Sequence, residues 1–364
     1  MTITIVAGAR PNFMKIAPII EAIKNRQEHG FNVNYRLVHT GQHYSKNLSD
    51  TFFKELNIPY PNVNLEVKSG TQAEQTAAIM IGFEKELELN PCDLVIVVGD
   101  VTSTMACTIV AKKADIKVAH VEAGIRSGDM KMPEEINRIV TDSLTDYFFT
   151  TSRHANNNLL NLGISKENIF FVGNVMIDTL LLNESRFVQP EIWGDLGLKK
   201  KQYMVMTLHR PSNVDEAEQL KTLITQIVFL AEDHNIIFPV HPRTRKILEK
   251  LNLNFENLHY INPLGYLEFN YLVKHALAVL TDSGGITEET TVMNVPCITL
   301  RENTERPETC EMGSNVLVGN DTDKIAEAFR VLFLGQWKQS KIPELWDGKA
   351  ADRIVDNLIE IYKL

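Results

Sequence analysis

Apolar residues along this chain fall into two kinds of stretch. Short, nearly unbroken runs rich in valine and isoleucine alternate with longer stretches in which apolar positions recur at helical spacing. TITIVAG precedes a helix from about Asn12, NYRLVHT one from about Lys46, and DLVIVVGD one from about Thr104. IKVAHVEAG, DYFFTTS and NIFFVGN complete a first series of strands. The rhythm restarts with QYMVMTLH, a helix across Glu216 to Glu232, NIIFPVH, NLHYIN and a helix across Tyr266 to Val273. ALAVLTDSGG, a helix from about Ile286 and VPCITL follow. This βαβα alternation predicts parallel sheets covered on both faces.

Between Leu180 and Lys201 no strand pattern is sustained, and Pro190, Gly194, Gly197 and three consecutive lysines mark a linker. The predicted fold class is α/β, with two doubly wound Rossmann-like domains facing a central cleft, the first over residues 1–175 and the second over 176–350. In such sheets ligands bind outside the carboxyl ends of the strands, so function is sought where strands end.

Composition narrows the classes. At 364 residues the chain holds about two domains of roughly 150 residues each. Its 37 Lys plus Arg and 46 Asp plus Glu leave a net charge of −9, which argues against nucleic acid or an anionic membrane as a general partner. Each apolar run falls far short of the roughly 20 residues that span a bilayer. The start, MTITIVAGARPNF, has no basic lead, and Arg10 and Pro11 interrupt the apolar stretch where a signal core would continue. Cys92, Cys107, Cys297 and Cys310 show neither CxxC pairing nor zinc spacing, so they read as reduced thiols of a cytoplasmic protein.

Candidate chemistry gathers at the strand ends. The first strand runs into Gly8-Ala9-Arg10-Pro11, with Lys15 one turn into the next helix; two cations beside a helix N-terminus favour an anion. Asp100 and Glu122 each follow an almost wholly apolar strand. Met132-Pro133-Glu134-Glu135 opens a helix that carries Arg138, and Glu134 with Arg138 has the spacing of an i,i+4 pair. Acids held close raise one another's pKa and supply proton donors and acceptors near neutrality. In the second half a strand runs through Ser283-Gly284-Gly285 into a helix with Glu288 and Glu289. Glycines admit a close ligand, free helix amides suit phosphate, and a carboxylate one turn on can accept from ribose hydroxyls. Arg306 follows the next strand, and His209 leaves a buried one. GxGxxG, GxxxxGK[ST] and HExxH are all missing, so neither the usual dinucleotide site, triphosphate hydrolysis nor a metal is indicated. The residues alone describe a two-domain enzyme that binds a nucleotide diphosphate and has acids and a histidine at its cleft.

The series GARPNFMKIAPII, HTGQHYS, VVGDVTST, HVEAGIRSGD, MPEEINR, FVGNVMIDT, LHRPSN, DSGGITEE and TERPE resembles the non-hydrolysing UDP-N-acetylglucosamine 2-epimerase family. The resemblance implies a GT-B architecture with UDP held mainly by the second domain, and a final helix, residues 351–364, packed on the first. It implies conversion of UDP-GlcNAc to UDP-ManNAc by elimination of UDP to 2-acetamidoglucal and re-addition, for surface polysaccharide, without metal or redox cofactor. Asp100, Glu122, Glu134 and His209 match the family's catalytic set. Arg10, Lys15, Arg138, Ser283, Gly284, Gly285, Glu289 and Arg306 match its substrate and UDP contacts, with Phe269 on the uracil side. A homodimer is expected from the family. Where members activated by a second UDP-GlcNAc read QHRE and HRREN, this chain has Gln42-His43-Tyr44-Ser45 and His209-Arg210-Pro211-Ser212-Asn213, which removes part of an arginine-rich contact set. A related branch acts on UDP-2,3-diacetamido-glucuronic acid or 6-deoxy hexosamines. The reading from another class is a GT-B glycosyltransferase with an open acceptor groove.

Overall fold

The computed structural model describes residues 1–41, 53, 55–240 and 242–364. The helix expected from Lys46 and the segment Gln42 to Ser45 lie outside the described residues. The chain divides into two compact units, Met1–Leu182 with Glu344–Leu364, and Asn183–Pro343. The sequence reading sets these breaks at 175/176 and 350/351. A helix over Val175–Asn183 spans the first of them, so the chain leaves the first unit where that helix ends.

In the first unit β1 (Thr2–Ala7), β2 (Asn34–His39), β3 (Val63–Asn64), β4 (Leu94–Val98), β5 (Lys117–Val121), β6 (Tyr147–Thr150) and β7 (Ile169–Phe171) form a parallel sheet in the order β3-β2-β1-β4-β5-β6-β7. Among its helices are α1 (Arg10–Glu28), α2 (Gln72–Leu89), α3 (Thr102–Lys113), α4 (Pro133–Leu144), α5 (Arg153–Asn161) and α6 (Val175–Asn183). β4, LVIVV, is buried at every position, as a central parallel strand must be. Val95 and Val97 pack on one face with Ile79, Phe83 and Cys107. Strand order reverses between β1 and β4, and the carboxyl ends there form a switch point.

In the second unit β8 (Tyr203–Thr207), β9 (Asn235–Pro239), β10 (Leu258–Ile261), β11 (Ala278–Thr281), β12 (Cys297–Thr299) and β13 (Asn315–Leu317) form a parallel sheet in the order β10-β9-β8-β11-β12-β13. Longer helices are α7 (Ala217–Leu230), α8 (Pro242–Leu251), α9 (Tyr266–His275), α10 (Gly284–Val292) and α11 (Thr322–Phe333). Met204 and Met206 enter one core cluster while Tyr203 and Val205 enter the other, so both faces of β8 are covered. The switch point lies between β8 and β11.

The chain then returns to the first unit. Trp346, fully buried, donates its indole N–H to the Thr151 carbonyl at 3.0 Å. The Asp178 carboxylate accepts from the Ala350 and Ala351 amides at 3.1 and 2.6 Å, which opens α12 (Ala350–Tyr362). Burial pushes Asp178 up to about 6, against the opposing pull of those two amides. Arg26 of α1 forks onto Asp356 of α12. Gly173 stands at φ +93°, and a Cβ there would meet the Leu345 carbonyl oxygen at 2.0 Å. Gly173→Ala is therefore expected to lower stability by about 2 kcal/mol or more, read as an earlier denaturant midpoint; an unchanged midpoint would show that this segment does not dock as described.

Candidate active site

At the first switch point, short polar side chains tie neighbouring strand ends together. The chain leaves β1 through Gly8 and Ala9, and α1 begins at Arg10 with Pro11 in its first turn. Pro suits that position because the first helical N–H groups lack partners anyway. Asn12 Oδ1 accepts from the Gly8 and Ala9 amides at 3.1 and 3.0 Å, and its Nδ2 donates to the Val98 carbonyl at 3.1 Å. One turn further, Lys15 pairs with Glu122; the two residues are 9% and 3% exposed. The Arg10 side chain lies outside the described set.

Glu122 sits just past β5 at φ +72°, a left-handed conformation uncommon for a residue with a side chain. Its amide and that of Ala123 both donate to the Phe149 carbonyl, at 3.0 and 3.1 Å, which holds the turn. Gly99, at φ +66°, lies against this pair: a Cβ there would be 2.9 Å from Lys15 Nζ and 3.2 Å from Glu122 Oε2. Glycine is required twice over at this point, by conformation and by space.

Asp100, the next residue, pairs with Arg138, and its carbonyl accepts from Asn137 Nδ2 at 2.8 Å. Arg138 also pairs with Glu135, at 2.8 Å. The i,i+4 pairing of Glu134 with Arg138 is thus replaced: Arg138 turns to Asp100 and to the acid three residues before it. Glu135 also accepts from the Ser127 amide at 2.9 Å, the Ser127 hydroxyl at 3.1 Å and the Gly128 amide at 3.0 Å. Burial would raise its pKa, but these donors and Arg138 hold it below the usual carboxylate range. Glu134, half-buried in the same helical turn, takes part in none of these bonds.

Sequence reasoning missed His120 and Asp142. The fully buried His120 ring lies 2.7 Å from Asp142 through Nδ1 and 2.8 Å from the Gly99 carbonyl through Nε2. Asp142 also takes the Gly124 amide at 3.1 Å and Arg126 at 2.7 Å. Burial works to raise its pKa, yet His120 and Arg126 keep it below the ordinary value. This network ties the Gly99 turn, the end of β5 and α4 together. Its one legible signal is a histidine set among the apolar residues Val118, Ala119 and Val121 of β5.

In the second unit Asp282, fully buried beyond β11, accepts from the amides of His209 at 3.1 Å and Arg210 at 2.9 Å, and from Asn213 Nδ2 at 3.1 Å. His209 Nδ1 lies 2.7 Å from Asp282 Oδ1, and the His209 side chain is 56% exposed. Burial tends to raise the pKa of Asp282, but His209 and the amide donors lower it overall. α10 starts at Gly284, two residues before the expected Ile286, and its N-cap Ser283 makes no side-chain cap. Its first amides therefore suit an incoming acceptor.

Glu288 of α10 pairs with Arg306, both largely buried. Glu289 accepts from the Tyr266 hydroxyl at 2.9 Å, and burial, reinforced by Glu288, pushes it up to about 7. Phe269, half-buried on α9, packs against the Tyr203 and Val205 cluster. Glu305 bridges Arg301 at 2.7 Å and Arg210 at 3.5 Å. The structure thus brings Lys15, Asp100, Glu122 and Arg138 together in the first unit. In the second it groups Glu288, Glu289 and Arg306 around α10, with Ser283, Gly284 and Gly285 at its start. Among the described residues the four cysteines are free, no helix is long and apolar enough to cross a membrane, and no group of three or more His, Cys, Asp or Glu could hold a metal ion.

Two doubly wound units, one ending in clustered acids and the other in a Ser-Gly-Gly helix start, define a GT-B-type nucleotide-sugar enzyme. The chain belongs to the UDP-N-acetylglucosamine 2-epimerase family, whose model matches residues 24–359. It is 43% identical over 365 residues to the UDP-N-acetylglucosamine 2-epimerase of Methanocaldococcus jannaschii, covering 98% of each chain. It is 36% identical to the UDP-2,3-diacetamido-2,3-dideoxy-D-glucuronate 2-epimerase of Pseudomonas aeruginosa, covering 99% of this chain and 100% of that one. The crystal structure of the Methanocaldococcus jannaschii UDP-GlcNAc 2-epimerase in complex with UDP-GlcNAc and UDP matches with a TM-score of 0.88 at 42% identity, over 99% of this chain and 100% of that chain.

A carboxyl whose folded pKa is raised contributes stability that is full in acid and fades as pH climbs through that raised value. For Glu289 the raised value is about 7. Glu289→Gln removes the burial cost of the ionised form, so its stability relative to the unsubstituted protein is expected to be about 2–3 kcal/mol more favourable above neutrality than in mild acid. Denaturant midpoints at the two pH values check this; a pH-independent difference would contradict it.

Proposed function

We propose that this protein interconverts UDP-N-acetylglucosamine and UDP-N-acetylmannosamine by elimination and re-addition of UDP. The observation that carries this reading is the gathering of Lys15, Asp100 and Glu122 about the Gly99 turn, in a chain alike along its whole length to an epimerase of that name. Carbon 2 of the sugar is not next to a carbonyl, so removing its proton alone leaves an unstabilised carbanion. Loss of UDP in the same process avoids this. The carbon 2–hydrogen and carbon 1–oxygen bonds break, the electron pair of the former becomes the ring double bond, and the departing phosphate oxygen keeps the other pair. Protonation of 2-acetamidoglucal from the opposite face and re-addition of UDP complete the inversion.

Asp100 and Glu122, each beside a cation, take the role of bases, and Glu134 that of the acid that returns the proton. His209 serves at the diphosphate, where charge develops and preorganised donors lower the barrier most. Arg10, Lys15 and Arg138 hold substrate charge. Ser283, Gly284, Gly285 and Arg306 cradle phosphate, Glu289 takes the ribose and Phe269 flanks the uracil. The reading extends to a cytoplasmic homodimer working in surface polysaccharide synthesis, and it uses no metal or redox cofactor.

The test is incubation with UDP-GlcNAc in deuterated water, followed by NMR. UDP-ManNAc carrying deuterium at carbon 2 is expected; release of free sugar without the epimer would overturn the reading. Faster turnover of the diacetamido-glucuronate nucleotide in the same assay would move the substrate to that branch. Glu122→Gln, Asp100→Asn and Glu134→Gln are each expected to lower kcat about 10²- to 10⁴-fold with the fold intact by circular dichroism, and full activity in any of them would remove that residue from the scheme.

A further inference from the structure

We infer that Asp282 is a positioning residue that fixes the His209 ring with its proton on Nδ1 and presents Nε2 to the departing diphosphate. This rests on the reading just given and adds to it how the histidine is prepared. Asp282 has two carboxylate oxygens in a fully buried position. Oδ2 takes the His209 amide at 3.1 Å, the Arg210 amide at 2.9 Å and Asn213 Nδ2 at 3.1 Å. Oδ1 lies 3.2 Å from the His209 amide and 2.7 Å from its Nδ1. Every one of these neighbours other than the ring is a fixed N–H donor, so the carboxylate acts only as acceptor and the ring nitrogen facing it must carry hydrogen. In the neutral ring the lone pair then sits on Nε2, the working end.

The surroundings support orientation over a purely structural tie. A tie between β8 and β11 needs only the backbone amides, yet the side chain of His209 is held as well, at one end, while more than half of it stays exposed. The charged groups next to Asp282 are Arg210, whose Nε donates to the Asp282 carbonyl at 3.2 Å, and Glu305, which engages Arg210 and Arg301. Asp282 also directly precedes Ser283 and the start of α10.

The first measurement needs no substituted enzyme to be active. Nitrogen-labelled protein, with His209 assigned by the loss of its signals in His209→Asn, is expected to show the Nδ1–H tautomer in the neutral ring; an Nε2–H tautomer would overturn the inference whatever the enzyme turns over. The second is kinetic. Asp282→Asn is expected to lower kcat for UDP-GlcNAc at least about 10²-fold while KM changes less than about threefold. In a His209→Asn background the same substitution is expected to cost less than about threefold, because the residue it acts through is gone. Equal losses in the two backgrounds would make Asp282 structural only. Failure of the unsubstituted protein to turn over UDP-GlcNAc would instead sink the functional reading, which the tautomer measurement does not depend on.

Discussion

The buried pair between Lys15 and Glu122 is the contact around which the first unit's site is arranged. Neither charge is tolerable alone at that depth, and removing one partner of such a pair typically costs about 3–5 kcal/mol because the other is left uncompensated. Keeping both requires that α1 bring Lys15 to the end of β5 and that Glu122 accept a left-handed backbone. It also requires that nothing larger than hydrogen stand at Gly99. Asn12 meets the same demand from the side, pinning the exit of β1 to the end of β4. The proposed chemistry therefore rests on a constraint that is electrostatic first and steric second.

Both units use one device, a buried carboxylate that takes a backbone N–H from a strand exit and holds a histidine, delivered by helix α4 as Asp142 in the first unit and by the end of β11 as Asp282 in the second. In the first unit the histidine is His120, sealed in the core with Asp142 on one nitrogen and the Gly99 carbonyl on the other. With both nitrogens occupied it can only brace. In the second unit Asp282 holds His209 from one side and leaves the other side open. The same local chemistry encloses one ring in the core and leaves more than half of the other exposed, which suits the second to the place at the diphosphate proposed for it.

The strand ends were legible in the sequence because apolar runs stop abruptly at Gly99-Asp100, Val121-Glu122, Leu208-His209 and Thr281-Asp282. In a parallel sheet such a stop marks the ligand edge. Pairings across long separations were not legible. Lys15 and Glu122 are 107 residues apart, and nothing local to either announces the other. The expected pairing of Glu134 with Arg138 failed because helical spacing only proposes neighbours. Asp100, delivered by another strand, and Glu135, already locked by the Ser127 and Gly128 amides, compete better for the guanidinium. His120 went unread since its role comes from burial of both ring nitrogens. The start of α10 was placed two residues late because glycines read as turn, whereas here Gly284 and Gly285 form its first helical turn.

The central claim is that the bond between carbon 1 and the diphosphate breaks and re-forms while carbon 2 inverts. A heavy-oxygen label placed in that bridging position tests it directly. The account predicts that the label scrambles into the non-bridging oxygens of the β-phosphate of recovered nucleotide sugar, on the timescale of epimerisation. A label that stays in the bridge while carbon 2 inverts would contradict it, because the inversion would then proceed without loss of the nucleotide.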